Sequence, residues 1–160
     1  MLELLYRFYP HPSSRYGWQA EKLVPHLTKA VKVRLEKLCP SPYLSEDWKN
    51  LYPYLNETLT TPKFVLHHGP LTYFKPVSSA WHIVYTSYLD VETHRELLPS
   101  IDELWVTSEA EKQLIQTHTS YSLENIFVLP PCFDPQELLT PPPPCDLALG
   151  YRENFAKGLG

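Results

Sequence analysis

Short apolar runs of strand length alternate with helical patterns along the chain. In the second run, Val31, Val33 and Leu35 alternate with polar residues, as in a strand with one buried face. Six runs predict strands, at residues 4–9, 31–36, 64–67, 82–86, 104–107 and 126–129. Strands that alternate with helices form βαβ units and a parallel sheet. The chain is therefore predicted to be a doubly wound, Rossmann-like α/β domain, with a mostly parallel sheet of about six strands and helices on both faces.

Three helices are predicted between these runs. Apolar residues at positions i, i+3, i+4 and i+7 across residues 18–30 predict a helix with one buried face. Pro25 predicts a bend or an early end there, because proline removes a backbone hydrogen bond. Ser45, followed by two acidic residues, predicts the start of a short helix that Pro53 would end. Ser108 and Glu111 form a capping-box pattern that predicts a helix running to about residue 117.

Proline divides the chain into two unequal parts. The sequence has 17 prolines in 160 residues, about twice the usual share of about 5%. Four of them are consecutive at 141–144, a run that favours a stiff, extended conformation. Residues 1–135 are therefore predicted to be one Rossmann-like domain, and residues 136–160 a proline-rich linker with the start of a second domain.

Charge and cysteine content narrow the class of protein. The net charge is −4 and the basic residues form no stripe, so nucleic acid is not an expected partner. No apolar run approaches the roughly 20 residues of a membrane span, and no targeting segment is recognisable. Three widely spaced cysteines favour a reducing compartment, and we expect a cytoplasmic protein. The seven histidines lack zinc-site spacing, so no metal is expected.

Two polar segments follow predicted strands. The connection at 10–17 lies where doubly wound folds bind ligands, and Gly17 would let the backbone approach an anion at the helix N-terminus. The glycine fingerprints of dinucleotide-binding and P-loop proteins are absent, so an ordinary polar turn stays open. Residues 85–87, with Glu92 behind them, would hold sugar hydroxyls or would form a solvated helix start.

A histidine pair ends the third predicted strand. Imidazole is the side chain best suited to acid–base chemistry near neutral pH. Because neighbouring strand residues point to opposite faces, one of His67 and His68 is expected to face the core and the other the cleft. The alternative is that neither histidine is catalytic and that both are simply packed or solvated at the end of the strand.

Several stretches resemble the retaining GT-B glycosyltransferases of the large group 1 family. Ser-Ser-Arg-Tyr-Gly at 13–17 resembles the first loop of their N-terminal domain. Ile-Val-Tyr-Thr at 83–86, followed by Ile-Asp-Glu-Leu-Trp-Val-Thr-Ser at 101–108, resembles a central run of that domain. Asn-Ile-Phe-Val-Leu-Pro-Pro-Cys-Phe-Asp-Pro at 125–135 resembles the segment that closes it. The similarity is strongest from 83 to 135.

The resemblance implies a site for a nucleotide-sugar. By position, Ser14 and Gly17 would lie near the donor phosphates. His68, near the reacting sugar, and Glu92, near the acceptor or the cleft wall, would be the catalytic residues. The segment 150–158 resembles the loop that opens the family's second domain, where Lys157 would bind the donor diphosphate. The resemblance also implies that the sequence stops before the donor-binding domain.

The expected function is sugar transfer from a nucleotide-sugar to a glycan or lipid acceptor, without a cofactor. Catalysis would need a second domain, supplied by a separate chain or by residues outside this sequence. An exposed half-cleft would favour a partner chain or a homodimer. One alternative is a non-catalytic sugar-binding or protein-interaction module derived from a truncated glycosyltransferase. Another is a single-domain Rossmann protein for a different nucleotide, which the missing glycine fingerprint disfavours.

Overall fold

The computed structural model describes residues 2–10, 14–38, 50–55, 62–87 and 94–131. The predicted helix start at Ser45, the three cysteines and the whole of 136–160 lie outside these residues. The strands are β1 Glu3–Phe8, β2 Lys32–Lys37, β3 Phe64–His68, β4 Trp81–Tyr85, β5 Glu103–Val106 and β6 Ile126–Val128. The helices are α1 Arg15–Leu27, α2 Tyr52–Leu55 and α3 Glu109–His118, with short 3-10 turns at Leu71–Tyr73, Leu98–Ser100 and Leu123–Asn125.

The six strands form one sheet in the order β2-β1-β3-β4-β5-β6. Every neighbouring pair is parallel. This confirms the predicted parallel α/β sheet, and each strand lies within one residue of its predicted bounds. The apolar runs located the strands because a strand covered on both faces is apolar over most of its length.

Helices pack on both faces of the sheet, as predicted. On one face, Tyr6 and Phe8 of β1 form a buried cluster with Ala20 and Val24 of α1, and Leu51 beside α2 joins it. On the other face, a second cluster contains Ile115 of α3 together with buried strand residues, namely Val84, Leu104, Val106 and Ile126. We call these the α1 face and the α3 face.

Helix α1 begins and ends three residues earlier than the predicted 18–30. It begins at Arg15 because the Ser14 side chain accepts a hydrogen bond from Tyr16 N at 3.2 Å and so caps the first turn. It ends at Leu27, two residues after Pro25. The early end that Pro25 predicted is therefore observed.

Helix α3 begins with the predicted Ser108 cap. Ser108 Oγ accepts from Glu111 N at 3.2 Å, as expected. The Glu111 carboxylate also accepts from Thr107 N at 2.7 Å and from Thr107 Oγ1 at 2.6 Å. Glu111 thus joins the end of β5 to the first turn of α3.

Helix α2 contains Pro53, so the prediction that Pro53 ends a helix is wrong. Proline is tolerated in a first turn, where its missing N–H has no intrahelical partner. No helix in the described part of the chain is long and apolar enough to cross a membrane.

The carboxyl ends of all six parallel strands lie along one edge of the sheet. The chain leaves β1 towards β2 on one side, whereas it leaves β3 towards β4 on the other side. This reversal between β1 and β3 is the place where open α/β sheets bind their ligands. Tyr9 follows β1 there, and its N–H donates to His68 O at 3.2 Å.

Candidate functional site

Three strand ends contribute side chains to the carboxyl edge. The connection after β1 contributes Ser14 and the first turn of α1. Strand β3 ends at His68, and β4 is followed by Thr86 and Ser87. Of the predicted site residues, the structure therefore brings Ser14, Gly17 and His68 to one edge.

Tyr16 joins the first and last of these segments. Its hydroxyl lies 3.0 Å from Ser87 O and 3.1 Å from Ser87 Oγ, and it accepts from Ser87 N at 3.2 Å. It also lies 3.4 Å from Thr86 Oγ1. Because β3 lies between β1 and β4 in the sheet, Tyr16 extends over the end of β3 to make these contacts.

His68 lies beneath Tyr16 and has no solvent-exposed surface. Its Nε2 donates to Gln19 Oε1 at 3.0 Å, and its Nδ1 accepts from the Tyr6 hydroxyl at 2.5 Å. Both ring nitrogens are therefore paired, and the Gln19 oxygen, which can only accept, requires a proton on Nε2.

Aromatic rings enclose the same imidazole. Tyr85 stacks on His68 with the ring centroids 4.7 Å apart. Tyr16 meets it edge-on at 5.3 Å, and Tyr6 at 5.8 Å. Burial, with a smaller contribution from the neighbouring His67, lowers the pKa of His68 to about 3. Burial also raises the pKa of Tyr6 well above its usual value.

His67 points to the opposite face, as strand alternation requires. Its Nε2 donates to Pro70 O at 3.0 Å, and Phe74 packs edge-on against its ring. Burial lowers the pKa of His67 to about 4, although the Pro70 hydrogen bond partly offsets this. The expectation that one of the pair faces an open cleft is wrong, because both rings are completely buried. Helix α1 covers one ring, and the connection between β3 and β4 covers the other.

The first turn of α1 supplies the accessible part of the edge. Ser14 and Tyr16 are half-buried, whereas Gly17, Thr86 and Ser87 are buried. The side chains of β3 and β4 thus form a closed floor, and the start of α1 lies above it. A helix N-terminus directs backbone N–H groups and positive potential outwards, which suits an anionic ligand.

The remaining predicted site residues, Glu92 and Lys157, lie outside the described residues. Within the described ranges, no three His, Cys, Asp or Glu side chains lie together as metal ligands would. The accessible hydrogen-bonding groups at the edge are the Ser14 hydroxyl and the backbone N–H groups of the first turn of α1, which suit a hydroxyl-rich or anionic organic ligand.

Sequence reasoning missed three residues that build this site: Tyr6, Gln19 and Tyr16. Tyr16 was part of the family-like loop at 13–17, but nothing in the sequence pointed to its contacts with residues 86 and 87. In the sequence, nothing distinguishes Tyr6 from the other residues of β1 or Gln19 from the other residues of α1. A buried histidine needs partners for both ring nitrogens, and this requirement is the signal that would prompt a search for them.

Comparisons with protein-family models, with curated proteins and with solved structures found no match. The resemblance to GT-B glycosyltransferases therefore stays a prediction based on the short motifs.

Proposed function

We propose that the chain is the acceptor-side domain of a glycosyltransferase, and that its carboxyl edge contacts a nucleotide-sugar. The observation that carries the proposal is the Tyr16 contact, which assembles the ends of β1, β3 and β4 at the point where the strand order reverses. The motif resemblance at 13–17 and 83–86 falls on these same segments. Sequence similarity and ligand-site topology thus coincide at one edge.

Each part of the edge has a role in this proposal. The N-terminus of α1 favours the diphosphate, and Gly17 keeps side-chain bulk away from the first turn. The half-buried Ser14 offers its hydroxyl proton to the ligand, whereas the Tyr16 hydroxyl is engaged by Ser87 and joins the strand ends. Thr86 and Ser87 hold the Tyr16 hydroxyl in place from below. Glu92 and Lys157 keep the roles that the resemblance implies, near the acceptor and at the donor diphosphate.

His68 bears on whether the domain is catalytic. A group that exchanges a proton with substrate must reach it within hydrogen-bond distance or through one water. The two nitrogens of His68 are paired with Tyr6 and Gln19, and its pKa of about 3 keeps it neutral at pH 7. This geometry favours a positioning role, in which His68 supports Tyr16, and its direct catalytic role stays a prediction.

The same observation favours a second candidate function, a non-catalytic sugar-binding or interaction module. In the enzymatic version, a separate donor-domain chain or a second copy completes the cleft and excludes water from the reacting groups. The reaction then takes place in the cytoplasm on a glycan or lipid acceptor and uses no cofactor. In the module version, binding persists without turnover.

Calorimetric titration with UDP, GDP and their sugars tests the shared part of both candidates. We expect the wild type to bind one nucleoside diphosphate saturably. Gly17→Trp should bind it at least about tenfold more weakly, because the indole would occupy the first turn of α1. A tenfold change in affinity corresponds to about 1.4 kcal/mol. Tyr16→Ala should weaken binding similarly. Ala30→Trp, at an exposed position after α1, is the bulky control and should bind like the wild type.

Two outcomes decide between the candidates, and one rejects both. If the chain transfers sugar once a donor-domain chain is added, the transferase is supported. If the chain binds the nucleotide-sugar but transfers no sugar with any donor-domain chain, the module is supported. If neither nucleotide nor nucleotide-sugar binds the wild type, the proposed site is wrong.

A further inference from the structure

The α1 face of the sheet is covered over only part of its width. In the described residues, α1 and the segment at α2 pack over β1, β2 and β3. On β4, β5 and β6 the same face carries Trp81, Ile83, Glu103, Trp105 and Phe127, which we call the aromatic face. Trp81 is 46% exposed and Phe127 is 47% exposed. Ile83 and Trp105 are partly buried against the α1-face cluster, so Trp81 and Phe127 form the exposed apolar part of this face.

Such exposure is unusual for this architecture. Parallel sheets are almost always covered on both faces, because their strands are apolar on both sides. Burying apolar surface stabilises by roughly 25 cal/mol per Å², and a contiguous exposed patch usually marks an interaction site. Helices are the elements that cover parallel sheets, so a helix with an apolar side fits this surface best.

Glu103 gives the aromatic face a specific charge requirement. Its Oε1 accepts from Trp81 Nε1 at 3.2 Å, and its Oε2 accepts from Trp105 Nε1 at 3.0 Å. The two indoles hold the carboxylate in place, yet among the described residues it forms no ion pair. A negative charge fixed between two aromatic rings attracts a cation both directly and through the ring faces.

We propose that the aromatic face is the docking surface for an amphipathic helix of a partner polypeptide that presents a lysine or arginine to Glu103. The apolar side of that helix packs on Trp81, Trp105 and Phe127, and its basic side chain pairs with the carboxylate. Self-pairing of two copies through this face would bring two Glu103 carboxylates together, so charge disfavours a second copy as the occupant. The proposal does not depend on nucleotide binding at the carboxyl edge.

A pair of model peptides tests the charge requirement. One labelled 18-residue helical peptide carries leucines at i, i+3, i+4 and i+7 spacing with one lysine at the border of the apolar side, and its twin carries glutamate in place of the lysine. By fluorescence anisotropy, we expect the lysine peptide to bind the full chain at least about tenfold more tightly than the glutamate peptide. Glu103→Gln should remove this preference while it retains apolar binding.

Matched variants locate the binding. Phe127→Ser should lower the affinity for the lysine peptide at least about fivefold. Leu114→Ser, which changes an equally exposed residue on α3, should leave this affinity unchanged. Circular dichroism establishes that both variants are folded. The proposal is overturned if neither peptide binds, if the two bind equally, or if Leu114→Ser and Phe127→Ser have the same effect. It is also overturned if the chain is a dimer that Phe127→Ser dissociates, because a second copy would then occupy the face.

Discussion

Acidification from pH 7.5 to pH 5 is expected to lower the free energy of unfolding by about 4 kcal/mol through His67 and His68. Burial lowers the pKa of His67 to about 4 and that of His68 to about 3, from an ordinary value of 6.5. Between these values and 6.5 the unfolded chain binds protons that the folded chain does not, so stability falls as the pH falls. One pKa unit corresponds to about 1.4 kcal/mol, so each histidine accounts for about 2 kcal/mol at pH 5.

Urea denaturation at a series of pH values measures this effect. The stability from these two residues should be fully present above about pH 6.5 and should decline progressively below it. His67→Gln and His68→Gln should each show about half of the wild-type loss between pH 7.5 and pH 5. His118→Gln, at an exposed position in α3, should retain the full loss. Identical pH profiles for all four proteins would show that the two rings are not buried as neutral imidazoles.

Truncation of Ile115 is expected to be the most damaging change on α3. Ile115 has no exposed surface and is the only residue of α3 that is fully buried, so it anchors the helix against the sheet. Ile115→Ala should lower the free energy of unfolding by about 2–5 kcal/mol, because the lost contacts leave a cavity that the surroundings cannot fill.

The neighbouring residue provides the control. Leu114 is 47% exposed, and Leu114→Ala should change the free energy of unfolding by less than about 0.5 kcal/mol. Guanidinium denaturation of both variants makes the comparison. Equal losses for Ile115→Ala and Leu114→Ala would mean that α3 does not pack on the sheet through the side that contains Ile115.

Local patterns predicted the sheet well. In runs such as 31–35, apolar and polar residues alternate as they do in a strand, and this signal lies entirely in neighbouring residues. A helix between two such runs favours a parallel pairing of the two strands. The start of α1 was placed too late because the apolar pattern begins at Trp18, whereas the capping side chain at Ser14 lies in a loop that has no such pattern. Boundaries depend on single capping contacts, which periodicity does not record.

The site was less predictable because its contacts are long-range. His68 pairs with Tyr6 and Gln19, which lie 62 and 49 residues away in the sequence. Tyr16 contacts Ser87 across 71 residues. Strand-end position was enough to select His68, Thr86 and Ser87 as candidates. Whether a candidate is exposed or enclosed depends on neighbours that only the folded chain brings together.

Tyr16 joins the ends of β1, β3 and β4 into one preformed site, and hydrogen exchange of the Ser87 amide tests this contact. The Ser87 N–H donates to the Tyr16 hydroxyl at 3.2 Å, so it should be protected in the wild type. Tyr16→Phe removes the acceptor and should speed exchange about five- to tenfold, because a typical hydrogen bond contributes about 1 kcal/mol. The amide of Ile126 in β6 should be unchanged. If the Ser87 amide exchanges freely in the wild type, or equally fast in the wild type and in Tyr16→Phe, then Tyr16 does not hold these strand ends together.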